Sequence, residues 1–131
     1  MKNIADQYRQ SGMLAEVAVA DPYRITQMLF EGALERIAIG RGAMLQGDVP
    51  RKGEQIGKAI NIIDGLRAAL DHEKGGELAG RLDSLYEYMT YRLLQANLKN
   101  SPEMLDEVSG LLREIKAGWD AIPEDQRIQR V

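Results

Sequence analysis

Cysteine is absent from this chain and histidine occurs once, at His72. Without cysteine there is no disulfide framework, no thiolate metal site and no cysteine nucleophile, which suits a reducing compartment and makes the bacterial or other cytoplasm the expected location. A lone histidine cannot supply the two Glu-x-x-His motifs of a di-iron or di-manganese bundle. It also leaves Ser/His/Asp catalysis with one base and no nucleophile-elbow pattern around any serine. Gly75-Gly76 lacks the Lys-Ser/Thr that follows in a phosphate-binding loop, so no cofactor is expected and the chain does not read as an enzyme. No alternating run of β-branched residues marks a strand, and no stretch approaches the roughly eighteen apolar residues of a membrane span. The opening MKNIADQYRQSGML lacks the apolar core of an export signal. Positive charge is not in surplus either: 17 basic against 20 acidic residues give a net charge of -3, with no dense Lys/Arg block. That removes the electrostatic footprint of a nucleic-acid or anionic-lipid binder, and leaves proteins as the expected partners.

What is present is helical. A chain of 131 residues fits one domain that buries about two-thirds of the surface its unfolded form exposes. Asp21-Pro22 reads as an N-cap followed by proline at the first helical position, and an apolar pattern then runs from Ile25 to Leu45, where Gly47-Asp48 stops it. Asp48 can cap a second helix with Pro50 in its first turn. Its stripe, from Ile56 to Leu70, closes at the stretch His72 to Gly76. The third helix is expected from about Glu77 to Ala96, with a turn over residues 97–100. Ser101-Pro102 opens the fourth, whose seam runs from Met104 through Trp119 and Ile122 to Pro123. Short connections make sequential helices antiparallel. The expected fold is all-α, an up-and-down four-helix bundle over residues 21–123, with a short capping segment at 1–20 and a tail at 124–131.

The helices differ in how much apolar surface they carry. At about 100° per residue, Leu82, Leu85, Tyr86, Met89, Leu93 and Ala96 form the core stripe of the third helix, yet Tyr88, Tyr91, Leu94 and Leu98 lie on its other side. The first helix is doubled too. Ile25, Met28, Leu29, Ile39 and Ala43 make one stripe, and Phe30, Ala33, Leu34, Ile37 and Met44 a second. The fourth helix has a polar back that includes Asp106 and Glu107, which reads as a solvated face. Excess apolar surface of this kind marks an interaction site. The plainer alternative is a thick core, with tyrosine rings lying on the surface and the first twenty residues packed over the extra stripe. Ile4, Tyr8, Met13, Leu14 and Val17 recur there as a short, weakly amphipathic segment, a candidate removable lid.

Three stretches, DPYRITQMLFEGALERI (21–37), KAINIIDGLRAALDHEKGGELAGRLDSLYEYM (58–89) and RLLQANLKNSPEMLDEVSGLLREIKAGW (92–119), together resemble the FliS family, the flagellin-specific export chaperones of bacteria. The specific elements are Met28-Leu29 followed by Gly32-Ala33, the Lys74-Gly75-Gly76-Glu77 turn, Leu85-Tyr86 with Tyr88-Met89, and Arg92-Leu93 followed by Ala96-Asn97. The resemblance implies a helical bundle that binds the C-terminal segment of flagellin in the bacterial cytoplasm, keeps it from polymerising, and presents it to the flagellar export gate. It also implies an N-terminal stretch covering part of the groove until the client arrives, with Tyr8 and Val17 at the matching positions. Combined with the doubled apolar faces, it assigns client contact to Ile25, Leu29, Ile37, Tyr88, Tyr91, Leu94 and Leu98. The free protein is expected to be a monomer or weak dimer. Two positions depart from the family's pattern: Phe30 stands where many members carry tyrosine, and Tyr91 where arginine is usual.

Two rivals remain at this stage. A self-associating structural or adaptor bundle would use the same strips for permanent contacts. A histidine phosphotransfer domain is also a four-helix bundle, but in HEKGG Lys74 follows His72 by two positions rather than three, and Asp71 and Glu73 flank the ring with negative charge that repels a phosphoryl group.

Overall fold

The structure is a computed structural model that describes residues 21–127. The expected lid, with Tyr8 and Val17, lies outside the described residues, as do residues 128–131 of the tail. The described chain forms α1 (Pro22–Gln46), α2 (Val49–Ala68), α3 (His72–Lys99) and α4 (Pro102–Asp120), then one 3₁₀ turn at Glu124–Gln126. No strand occurs among the described residues. None of these helices is long and apolar enough to cross a membrane.

Each helix begins where a side-chain oxygen can satisfy a free backbone N–H. Asp21 Oδ1 accepts from the Arg24 N–H at 2.9 Å and Asp48 Oδ1 from Arg51 at 3.2 Å. Asp71 Oδ1 accepts from Glu73 and Lys74, and Ser101 Oγ from Met104 at 3.3 Å. At the end of α1, Gly47 takes a left-handed backbone (φ 75). The Asp48 N–H then reaches back to the Ala43 carbonyl at 2.9 Å and the Gly47 N–H to Met44 at 3.3 Å, a Schellman closure. Asp48 therefore finishes one helix with its N–H and starts the next with its carboxylate.

Two boundaries differ from the sequence expectation. The second helix ends at Ala68, before the stretch expected to stop it, and Asp71 caps a new turn from His72. Gly76 (φ 51, ψ -125) interrupts that turn, so the regular part of α3 does start at Glu77. At its other end α3 continues past Ala96 to Lys99, because Asn100 supplies the left-handed residue (φ 52) that asparagine tolerates better than most.

Packing joins α1 to α2, α2 to α3, α3 to α4 and α4 back to α1, while the diagonal pairs do not meet. Cross-helix contacts fix every neighbour as antiparallel. Arg41, late in α1, forks onto Asp106, early in α4 (2.8 and 3.1 Å). Arg67, late in α2, does the same to Asp83 in the first half of α3 (2.6 and 3.2 Å). Between α1 and α2 the backbones come close at Gly40, where a Cβ would sit 3.2 Å from Ile56 Cγ1. Gly42, two residues on, has open space above it.

The centre is filled by Phe30, Ile37, Ile56, Ile63, Met89, Leu93, Leu105, Val108 and Leu112, all essentially sealed from water. At one end Tyr23 of α1 stacks on Trp119 of α4, ring centroids 5.4 Å apart. Each bonds the other's backbone: Tyr23 Oη donates to the Trp119 carbonyl (3.0 Å) and Trp119 Nε1 to the Tyr23 carbonyl (3.1 Å). At the opposite end the buried Lys52 ammonium donates to the Asn97 carbonyl (3.1 Å) and Asn100 Oδ1 (3.2 Å). It sits where the negative end of the α3 dipole favours a cation.

Candidate functional site

Helix α3 has two chemically unlike sides. Ala79, Tyr86, Met89, Leu93 and Ala96 are buried, and burial pushes the Tyr86 hydroxyl up to about 12. Opposite them, Tyr88 (41% exposed), Tyr91 (58%), Leu94 (52%) and Leu98 (78%) stand in water. On a helical projection Tyr91 and Leu98 point about 180° from the core stripe. Tyr88 is turned toward α4. Leu94 is turned toward α2, on the side where Asp83 and Glu87 meet Arg67. These four form one outward strip about three turns long.

The α2 wall beside this strip is low. Arg67–Asp83 at one end and Lys52–Asn97 at the other set an antiparallel register that places Gly57 and Gly53 opposite Leu94 and Asn97. A Cβ built on either glycine meets nothing within 4 Å. The α2 backbone at these two positions therefore carries no side chain into the space beside the strip, which stays open on that edge.

The residues assigned on α1 behave differently. Ile25 and Leu29 are half-buried, on the α2 side of α1 where Gly32 approaches Ile62. Ile37 is a core residue at 1% exposure, and this corrects its assignment as a contact. Its side chain faces the bundle interior with Phe30 and Ala33, not the outside. The doubled face of α1 has a plain cause: each helix of the ring touches two neighbours, so its buried arc is wider than one stripe. Since α1 and α3 are diagonal, Ile25 and Leu29 are separated from the α3 strip by the width of α2.

Asp106 and Glu107 are not a merely solvated face. Asp106 staples α4 to α1 through Arg41, and Glu107 staples it to α3. Glu107 Oε2 accepts from Tyr88 Oη and Oε1 from Arg92 Nε, both at 2.7 Å. The sequence also gave no warning that Leu45, Val49 and Leu78 would be exposed. The first two lie at the α1–α2 turn, where the helical pattern runs out before the apolar residues do. His72 is the exposed first residue of α3, a helix end rather than a mid-helix phosphoacceptor position. Among the described residues no His/Cys/Asp/Glu group could hold a metal ion.

The staples make stability pH-dependent. The Glu107 carboxyl is held below its usual range, first by the Tyr88 hydroxyl and then by Arg92, and Asp83 is held low by Arg67. Carboxyls with depressed folded-state values stabilise the fold above their unfolded values, and that contribution disappears as pH falls through the folded ones. The urea midpoint is therefore expected to drop as pH falls below about 4, and to drop less steeply in an Asp83→Asn, Glu107→Gln variant. Equal slopes in the two proteins would remove these pairs from the account.

Sequence comparison gives consistent matches. A family model described as flagellar protein FliS matches residues 2–126. The flagellar secretion chaperone FliSB of Pseudomonas aeruginosa is 58% identical over 116 residues, covering 88% of this chain and 92% of its own. The flagellar secretion chaperone FliS of Vibrio cholerae is 45% identical over 125 residues, with 95% and 92% covered. That of Salmonella typhimurium is 49% identical over 116 residues, with 88% and 86% covered.

Proposed function

The chain belongs to the flagellar protein FliS family, and on that premise we propose that it is a cytoplasmic secretion chaperone for flagellin, holding the client's C-terminal segment along the outer strip of α3. The observation that carries this reading is the strip itself: four large apolar side chains, each more than two-fifths exposed, on a helix whose other side already closes the core. A folded domain that needed α3 only for packing would carry polar residues there. The open space beside Gly53 and Gly57 gives a client backbone room to approach.

The client's chemistry fits the surface. A flagellin terminal segment that is disordered when free and helical when assembled exposes apolar positions that invite premature association. Docking them at i, i+3 and i+4 spacing on an apolar strip removes that hazard until the export gate receives the complex. Ile25 and Leu29 serve as a second contact region, reached by a client that crosses α2. Ile37 takes no part. Ordering such a segment consumes several kcal/mol of the interaction, which keeps release feasible.

Titration calorimetry with a peptide covering flagellin's C-terminal segment, at two temperatures, tests the reading. One-to-one saturation with a clearly negative heat-capacity change is expected. A folded protein that does not bind the peptide, or one that buries the strip in a stable dimer instead, overturns it.

A further inference from the structure

We propose that Glu107, on α4, is a positioning residue for the Tyr88 ring, so that the α3 strip presents one pinned aromatic and one free one. The inference rests on the reading of that strip as the flagellin-binding surface. Tyr88 and Arg92 stand one turn apart on α3, and the two oxygens of Glu107 take one each, at 2.7 Å. The Arg92 guanidinium carbon lies 6.0 Å from the Tyr88 ring centroid. Tyr88 is thus tethered at both ends, by its backbone to α3 and by its hydroxyl to α4, while the ring remains 41% exposed. Tyr91, three residues on and more exposed, makes no hydrogen bond to any described residue.

Two consequences follow for recognition. The Tyr88 hydroxyl is already committed to a carboxylate, so the ring offers a client an apolar plate and not a donor. Its rotamer freedom is also lost before the client arrives, and a side chain ordered in advance costs less to bind against. Tyr91 keeps its freedom and can adapt to whatever passes over it. Glu107 contributes to binding without lying on the strip.

The test is a double-mutant cycle read by calorimetry with the flagellin C-terminal peptide. Glu107→Ala is expected to weaken binding about three- to tenfold, the range for losing one pre-ordered side chain. Tyr88→Phe keeps the ring, loses the tether, and should weaken it similarly. The double variant should fall no further than either single one. Asp106→Ala removes the neighbouring staple on the other flank of α4 and should bind like wild type, which separates positioning from general loosening of α4. Aromatic ¹³C relaxation of the client-free protein adds a second readout: the Tyr88 ring should be more ordered than Tyr91, and Glu107→Ala should erase the difference. Wild-type affinity in Glu107→Ala, losses that multiply in the double variant, or equal ring mobility in the wild type would each overturn the inference while leaving the client reading standing. Failure of the wild-type protein to bind the peptide would overturn both.

Discussion

A Leu94→Asp, Leu98→Asp double variant is expected to lose flagellin-peptide binding while its circular dichroism and thermal unfolding stay close to wild type. The two leucines are 52% and 78% exposed, so neither closes the core, and exposed substitutions usually move stability by less than about 0.5 kcal/mol. In a complex each aspartate would set a carboxylate against an apolar client surface and lose its water there. A buried contact of this kind is worth about 2 kcal/mol or more, or roughly 30-fold in affinity at each position. Together they should put binding beyond detection. If the double variant instead fails to fold, the strip is core and the chaperone surface lies elsewhere. If it folds and still binds, the client does not use α3.

The second large effect is on stability. Ile37→Ala should cost about 2–5 kcal/mol in urea denaturation, because its side chain is 1% exposed and the surrounding residues cannot fully collapse into the space left. The comparison with Leu98→Ala makes it informative, since that change should be nearly silent in the same assay. Peptide binding by folded Ile37→Ala should match wild type. A loss of affinity without a loss of stability would restore Ile37 to the client surface and invert the picture of α1 given above.

The four helices, the caps at Asp21, Asp48 and Ser101, and the outward placement of Tyr88, Tyr91, Leu94 and Leu98 were legible in the sequence because local signals decide them. A cap needs one oxygen three residues before a free N–H, and a helix of known period fixes which residues share a side. What was not legible depends on neighbours. Ile25 and Ile37 sit on the two apolar stripes of α1, and only the ring order of the bundle decides which of them faces inward and which is left half-covered. Glu107 looked like surface charge because its partners, Tyr88 and Arg92, are 19 and 15 residues away on another helix. Phe30 is sealed in the core, where a tyrosine hydroxyl would need a partner, and Tyr91 adds ring surface where an arginine would add charge.

The Tyr23–Trp119 pair has an optical use. Trp119 is the chain's only tryptophan, it is 7% exposed, and it sits about 18 Å along α4 from Glu107. Its emission should report whether the closed end of the bundle is intact and stay largely indifferent to what occupies the far part of α3. The heat of peptide binding carries the complementary signal. Emission and calorimetry together can then tell a variant that has come apart from one that has only let go.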